Sequence, residues 1–555
     1  MSQIKASDLF VKCLEEEGVT HIFGVPGEEN ADFMISLKKS KKIEFVLCRH
    51  EQAAAFMADL YGRLTGKAGV CLGTLGPGAT NLVTGVADAN MDRAPLVAII
   101  GQAGTYRLHK ESHQNMDAIA MFRPITKWAQ TIYNAGTVAE VVRKAFKVAE
   151  AEKPGATVIE LPEDVAKHMV DVQPLAPKKT RRAAADHKAV AQAVDIIAAA
   201  KNPVILAGNG CVRKRASEQL RRLAHKTGIP VVNTFMGKGA VSMDDEHCLF
   251  TLGLQGRDHV NLLLDEADVI VAAGYDLVEY APAFWMKGKK KKVIVIDFEH
   301  AEVDSALPVD VDMVADVADS LWQMNELINE RYEGSLPLFD IKKHAQLRKT
   351  IWEDLTAEAN DNSFPVKPQR VINEMRRIMG PSDVMLSDVG AHKMWVSRYY
   401  QCYEPNTCQI SNGFCTMGFA LPGAIGAKIA MPNSKVGCIA GDAGFMMNVQ
   451  DIETAVRNKI PFVCVVFCDE EYGLIKWKQQ NQFDEHSDLK FTNPDFEKLA
   501  DAFGCYGKVV RKTEDLPSIL EEAFAQEGPA IVAVPIDYSE NLKLTKRLGA
   551  IEATI

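Results

Sequence analysis

The chain has 555 residues, too many for one hydrophobic core and suited to about three domains. It is 47% hydrophobic and 25% charged with a formal net charge of −10, a balance that argues against nucleic acid as a general partner. No apolar run approaches the roughly 18 residues of a membrane span, and the 12 cysteines lack paired metal spacing, so they read as reduced core residues of a cytoplasmic protein.

Strands and helices alternate from the start, which predicts a parallel sheet. A charged amphipathic helix over 6–17 leads to a strand at 21–23 and the loop Gly24-Val25-Pro26-Gly27-Glu28-Glu29-Asn30. The strand at 45–48 runs into Arg49-His50-Glu51-Gln52 and an Ala-rich helix over 53–64. Another strand, 69–73, leads to Thr74-Leu75-Gly76-Pro77-Gly78-Ala79-Thr80-Asn81. Glu51 thus stands before a helix that reads as buried. A carboxylate there is satisfied by the N–H groups of the helix start, or it carries a raised pKa. Gln114 follows in the stretch 110–117, and the segment 174–186, rich in Pro, Lys and Arg, reads as a linker.

The middle of the chain repeats the alternation. The strand at 203–207 and the turn Gly208-Asn209-Gly210 form a fragment of a dinucleotide pattern without its third glycine. Strands at 230–233, 269–273 and 293–297 continue the unit, and Lys289 to Lys292 reads as a solvated loop.

In the last third, the strand at 384–387 ends at Asp388-Val389-Gly390-Ala391-His392, and Ser411-Asn412-Gly413-Phe414-Cys415-Thr416-Met417-Gly418 follows. An apolar strand at 435–440 runs into Gly441-Asp442-Ala443-Gly444-Phe445, with helix character over 448–458. The next apolar run, 460–467, returns Asp469 to the same sheet edge, 27 positions after Asp442. Two carboxylates at neighbouring strand ends are costly unless a cation joins them. The glycines let the backbone approach an anion, and the start of the following helix favours negative charge; hard oxygen ligands beside a phosphate there suggest magnesium.

These motifs, in this order and over nearly the whole chain, resemble the thiamine diphosphate (ThDP) enzymes. Within them they are similar to the large, catalytic subunit of the acetolactate synthases. The resemblance implies an α/β fold of three doubly wound parallel-sheet domains: a pyrimidine-binding domain at 1–170, a central Rossmann-like domain at 187–335 and a diphosphate-binding domain at 360–545. It implies that Glu51 hydrogen-bonds N1′ of the aminopyrimidine, that Gly27, Pro77, Gly78 and Asn81 lie where cofactor approaches the backbone, and that Gln114 lies near the reacting centre. Gly390, Ala391 and His392 would receive the diphosphate. Met417 would support the bend of the cofactor, and the Cys415 carbonyl would accept from its 4′-amino group. Asp442, Asp469 and the main-chain carbonyl of Glu471 would hold Mg2+, with Ala443, Gly444 and Tyr472 beside them. Trp477 would lie on the helix covering the substrate, where lining the pocket and packing remain open alternatives.

Three departures from the family's pattern stand out. Ala443 replaces the second glycine of Gly-Asp-Gly, Cys468-Asp469 replaces the usual Asn-Asn, and Glu28-Glu29 stands where catabolic synthases tend to have Ala-Lys. The segment Gly274 to Tyr280 looks like the FAD-free catabolic enzymes, so FAD is an uncertain cofactor that the resemblance does not require. The implied reaction decarboxylates pyruvate on ThDP and joins the two-carbon unit to a second 2-ketoacid, giving 2-acetolactate and CO2. A non-oxidative 2-ketoacid decarboxylase, an FAD-dependent pyruvate oxidase-like enzyme and a non-catalytic ThDP-binding protein are the alternatives. The family also implies a homodimer or homotetramer with active sites at subunit interfaces; a regulatory subunit stays open.

Overall fold

In a computed structural model, described over residues 3–178, 181–253, 259–286, 290–332 and 339–541, three parallel six-stranded sheets follow one another along the chain. The boundaries drawn at 335 and 545 lie outside the described residues. The first sheet runs, in spatial order, Glu44–Leu47, His21–Gly24, Gly69–Gly73, Leu96–Gln102, Ala156–Pro162 and Trp128–Thr131. The central sheet runs Cys248–Thr251, Val231–Asn233, Pro203–Ala207, Val269–Ala273, Lys292–Asp297 and Val311–Val314. The last runs Cys408–Ile410, Val384–Ser387, Val436–Gly441, Val463–Cys468, Ala530–Pro535 and Tyr506–Val509. The inner strands are continuous apolar runs such as Val-Cys-Val-Val-Phe-Cys because helices cover both faces of the sheets. Among the described residues no helix is long and apolar enough to cross a membrane.

Three features differ from the sequence reading. The first sheet gains Trp128–Thr131, the central sheet Cys248–Thr251 and Val311–Val314, and the last sheet Cys408–Ile410, Tyr506–Val509 and Ala530–Pro535. All but Ala530–Pro535 are strands of three or four residues at sheet edges, too short for a clear periodic signal, and Tyr-Gly-Lys-Val is half polar; Ala530–Pro535 is an apolar run that the sequence reading passed over. The helix expected over 448–458 begins earlier: Asp442–Met447 is helical straight after the strand, and Ile452–Arg457 follows a single 3-10 turn. Lys291 is buried rather than solvated, its ammonium 3.5 Å from the Asp265 carbonyl; Lys289 lies outside the described residues.

The packing that positions the site joins the first and last sheets. Helix Glu51–Thr65 is capped at one end by His50, whose ring accepts from the Gln52 N–H, and at the other by Gly66 in the left-handed region. It lies antiparallel against helix Ala420–Ala430. A Cβ on Gly426 would stand 2.2 Å from the Met57 carbonyl oxygen, and one on Gly423 would stand 3.1 Å from Leu60, so these glycines allow the close approach. Phe419, just before the second helix, meets Phe56 edge-on, and the Arg63 guanidinium lies 5.0 Å from the Phe419 ring centre. Residues of both sheets thereby share one continuous core.

Candidate active site

Two groups of the expected site residues form, one on each of the two joined sheets. In the first, Glu51 is buried at the start of its helix, and its Oε2 accepts from the Asn81 amide at 2.9 Å. The carboxylate is therefore satisfied by a side chain rather than by the helix N-terminus. Its other oxygen faces Gly78, 3.3 Å from where a Cβ there would stand. Thr74 adjoins both Gly27 and Gly78, and its hydroxyl donates to Glu29 at 3.1 Å. Pro77 opens the helix Pro77–Met91 that carries Gly78 and Asn81. Gln114 is exposed, and its backbone rests against Gly76, beside this turn. Gly27, Glu51, Pro77, Gly78, Asn81 and Gln114 are thus one neighbourhood.

The second group stands at the carboxyl ends of the strands of the last sheet, where open α/β sheets bind ligands. Asp442 follows strand Val436–Gly441 and is fully buried. Its Oδ2 accepts from the backbone N–H groups of Asp469 and Glu470, at 3.1 and 2.9 Å, and from the Asn493 amide at 2.7 Å. The Ala443 N–H donates to the other oxygen at 2.9 Å. Asp469 arrives from the adjacent strand; burial first, then Asp442 and Glu471, push its pKa up to about 7. The Glu471 side chain pairs with Lys476 at 2.7 Å, and its backbone N–H donates to Asp469. A cation between Asp442 and Asp469 would remove the repulsion, and the all-oxygen donor set fits Mg2+.

His392 fits an anionic ligand. It starts the helix Ala391–Tyr399 behind Gly390, with its ring packed against Gly441. Burial drives its pKa down to about 3, the Asp388 main chain hydrogen-bonds the ring, and Nε2 is buried with no partner. Negative charge arriving at that nitrogen favours the imidazolium, which donates from both nitrogens.

Sequence reasoning passed over Asp388 as a site residue. Its carboxylate is completely buried and accepts from the N–H groups of Val389, Gly418 and Phe419 at 2.9, 3.1 and 3.2 Å. It abuts Gly444 as well, and burial raises its pKa to about 7. The Asn448 amide holds the Gly418 carbonyl at 2.8 Å, and Gly418 has φ +80°, a conformation that favours glycine. Met417, half-buried, is thereby set between fixed neighbours, and Cys415, exposed with its thiol 3.1 Å from the Lys393 ammonium, precedes it. Tyr472 is exposed and meets Phe491 edge-on. Trp477, on helix Gly473–Phe483, is half-buried with an unpartnered indole N–H.

The loop before Met417 is tied to the first sheet by a buried ionic cluster. Arg63 pairs with Asp59 at 2.6 Å, Asp88 at 3.0 Å and Asp92 at 3.2 Å, and donates to the Ile410 carbonyl at 3.0 Å. Asp88 also accepts from Ser411 and Thr416 hydroxyls at 2.5 and 2.9 Å, and Asp92 from the N–H groups of Asn412 and Gly413 at 2.8 and 2.6 Å.

Within one chain the loop before Met417 is tied to the Arg63 end of helix Glu51–Thr65, away from Glu51. Glu51 and Arg63 stand about 18 Å apart along their helix, at 1.5 Å per residue. The antiparallel packing puts the Met417 loop at the Arg63 end. One aminopyrimidine and its methylene bridge do not span that length.

Comparison with known proteins covers the segments that carry both groups. Residues 4–121 match the family described as thiamine pyrophosphate enzyme, N-terminal TPP binding domain; residues 190–324 match its central domain and 388–534 its C-terminal TPP binding domain. An acetolactate synthase of Bacillus subtilis is 36% identical, over 99% of this chain and 97% of that protein. A catabolic acetolactate synthase of Raoultella terrigena is 35% identical, over 98% and 97%. The acetolactate synthase isozyme 3 large subunit of Escherichia coli is 32% identical, over 98% and 96%. The chain belongs to the acetolactate synthase family of thiamine pyrophosphate enzymes.

Proposed function

We propose that the chain is a ThDP- and Mg2+-dependent acetolactate synthase that converts two molecules of pyruvate into 2-acetolactate and CO2 without a flavin. The observation that carries the reaction is identity to acetolactate synthases along the full length of both partners. Bound ThDP supplies a nucleophilic carbon that adds to a ketoacid carbonyl and accepts the electrons released with CO2. The protein places and polarises it. Asn81 fixes one Glu51 oxygen and leaves the other free to hold or pass a proton at pyrimidine N1′. Met417 would lie under the cofactor and support it, and the Cys415 carbonyl would accept from its amino group. Asp442, Asp469 and the Glu471 carbonyl hold the cation, and His392 and the Gly390–Ala391 turn take the diphosphate.

The separation of Glu51 from Met417 implies that each site combines the first group of one chain with the second group of another. Exposed apolar side chains around the second group support this reading: Phe414, Met446, Met447, Tyr472 and Ile475 need cover to keep water from the reacting carbon. A homodimer is then the smallest active unit, and a homotetramer is compatible with it.

The central sheet argues against FAD. Its strand order reverses between Pro203–Ala207 and Val269–Ala273, the crevice where such sheets take nucleotides. Glu279 fills that crevice. Its carboxylate accepts from the N–H groups of Asn209 and Asp276 at 3.0 and 2.9 Å and from Thr234 at 2.5 Å, and burial raises its pKa to about 8. The chain's own carboxylate occupies the N–H groups that a pyrophosphate would use.

Two measurements test this reading. Purified protein given ThDP, Mg2+ and pyruvate without flavin should release one CO2 per two pyruvates and form acetolactate. Acetaldehyde as the sole product would make it a decarboxylase, and a strict need for FAD would overturn the reading of the central domain. The cation assignment predicts a pH dependence. Asp469 has its pKa raised in the folded chain, so cation-free protein loses stability as pH rises through about 7, and a bound cation removes that loss. EDTA should therefore lower Tm more at pH 8 than at pH 6; equal losses would contradict the assignment.

A further inference from the structure

Away from both groups, three potential metal ligands converge on the surface of the central domain. His225 stands in the last turn of helix Lys214–Thr227, and Asp245 and His247 lie in the loop leading to strand Cys248–Thr251. Their ligand atoms all lie within 4.8 Å of one another. His225 Nε2 is 2.6 Å from one Asp245 oxygen, His247 Nδ1 is 2.9 Å from the other, and the two rings stand 4.4 Å apart.

We propose that His225, Asp245 and His247 form a binding site for a first-row transition metal of the zinc type, distinct from the Mg2+ site. Two imidazoles and one carboxylate are a ligand set that Zn2+ takes and Mg2+ does not. Tetrahedral ligands at zinc bond lengths of about 2.0–2.2 Å stand roughly 3.3 Å apart, so the two hydrogen-bonded pairs need to separate by less than about 1 Å and a pair at the 4.8 Å limit to close by about 1.5 Å to admit the ion.

The frame is built on the buried side. The His247 N–H donates to Asp245 at 2.9 Å, its carbonyl accepts from the Val231 N–H at 2.7 Å, and the Cys248 N–H donates to the Asp245 carbonyl at 3.0 Å. His247 is 5% exposed and His225 is 56% exposed, which leaves an open coordination position toward solvent. Negative groups adjoin the site, opposite Lys226 and Arg222 on the same helix. The helix end at His225 presents its carbonyls, and Asp244 and Glu246 flank Asp245. An ion here would clamp the end of the helix to the loop that feeds the edge strand of the central sheet.

The test uses the full chain with ThDP and millimolar Mg2+ present, freed of other metals beforehand. Zinc chloride is titrated by calorimetry, and Tm is read in parallel. The expected result is one Zn2+ per chain and a rise in Tm. Loss of at least about tenfold in zinc affinity is expected in His225→Ala and in Asp245→Asn, with acetolactate formation unchanged. His225 is exposed, so its alanine variant should fold. Zinc binding of undiminished affinity in both variants would overturn the proposal. So would zinc binding that disappears instead in Asp469→Ala, because it would then belong to the Mg2+ site. No zinc uptake by the wild-type chain overturns it outright.

Discussion

Glu51→Gln should slow exchange of the C2 proton of bound ThDP by about 10²- to 10⁴-fold, the range for loss of a positioned acid–base group. The substitution keeps the shape of the side chain. An amide oxygen can still accept from Asn81, so the 2.9 Å contact and the start of helix Glu51–Thr65 survive. Only the capacity to carry a proton is lost. Exchange measured by NMR on cofactor quenched at intervals after transfer to D2O reports this step apart from later ones. Thermal unfolding and Mg2+ affinity should stay near those of the wild type. Near-normal exchange in the variant would remove Glu51 from the mechanism.

Arg63→Met should destabilise the chain by about 3–5 kcal/mol, the cost of leaving buried charge without its partner. Arg63, Asp59, Asp88 and Asp92 are all shielded from water. One guanidinium serves three carboxylates, so the cluster already carries excess negative charge. Burial accordingly raises Asp88 to about 7 and keeps a proton within the group near neutrality. Because that pKa is raised in the folded state, the cluster weakens as pH climbs past 7, and the variant's deficit should grow over the same range. Arg63→Lys should recover only part of the loss, since a point charge cannot reproduce the forked pairing to Asp59. The shift in denaturant midpoint measures it; a change within about 1 kcal/mol, ordinary for a surface substitution, would contradict this account. The same cluster holds Ser411 to Thr416, so the surviving folded fraction should bind ThDP more weakly.

Most of the long apolar strands were legible, although Ala530–Pro535 was passed over. Val463–Cys468 and Leu96–Gln102 stand out as unbroken hydrophobic runs because both faces are covered. Short edge strands such as Cys408–Ile410 left no comparable trace. At the site, residues tied to a recurring backbone motif, such as Asp442 after its strand, could be located from spacing and resemblance. Asp388, Asn493 and the Arg63 cluster could not, because their partners lie far along the chain: Asp388 binds Gly418, Asn493 binds Asp442, and Asp88 binds Ser411. One local signal was available. Asp59 and Arg63 are four residues apart on an Ala-rich helix, as are Asp88 and Asp92 on the next. Charges on helices otherwise built for burial mark a buried ionic network.

The separation of the two groups within one chain has a direct test. Glu51→Gln removes the first group and Asp442→Ala the second, and each variant alone should be inactive. Mixed in equal amounts and allowed to exchange subunits, half of the dimers carry one chain of each kind, and each such dimer restores one intact site. Acetolactate formation should then recover to about a quarter of the wild-type value. No recovery after verified exchange would mean that both groups serve one cofactor in the same chain, and would contradict the account.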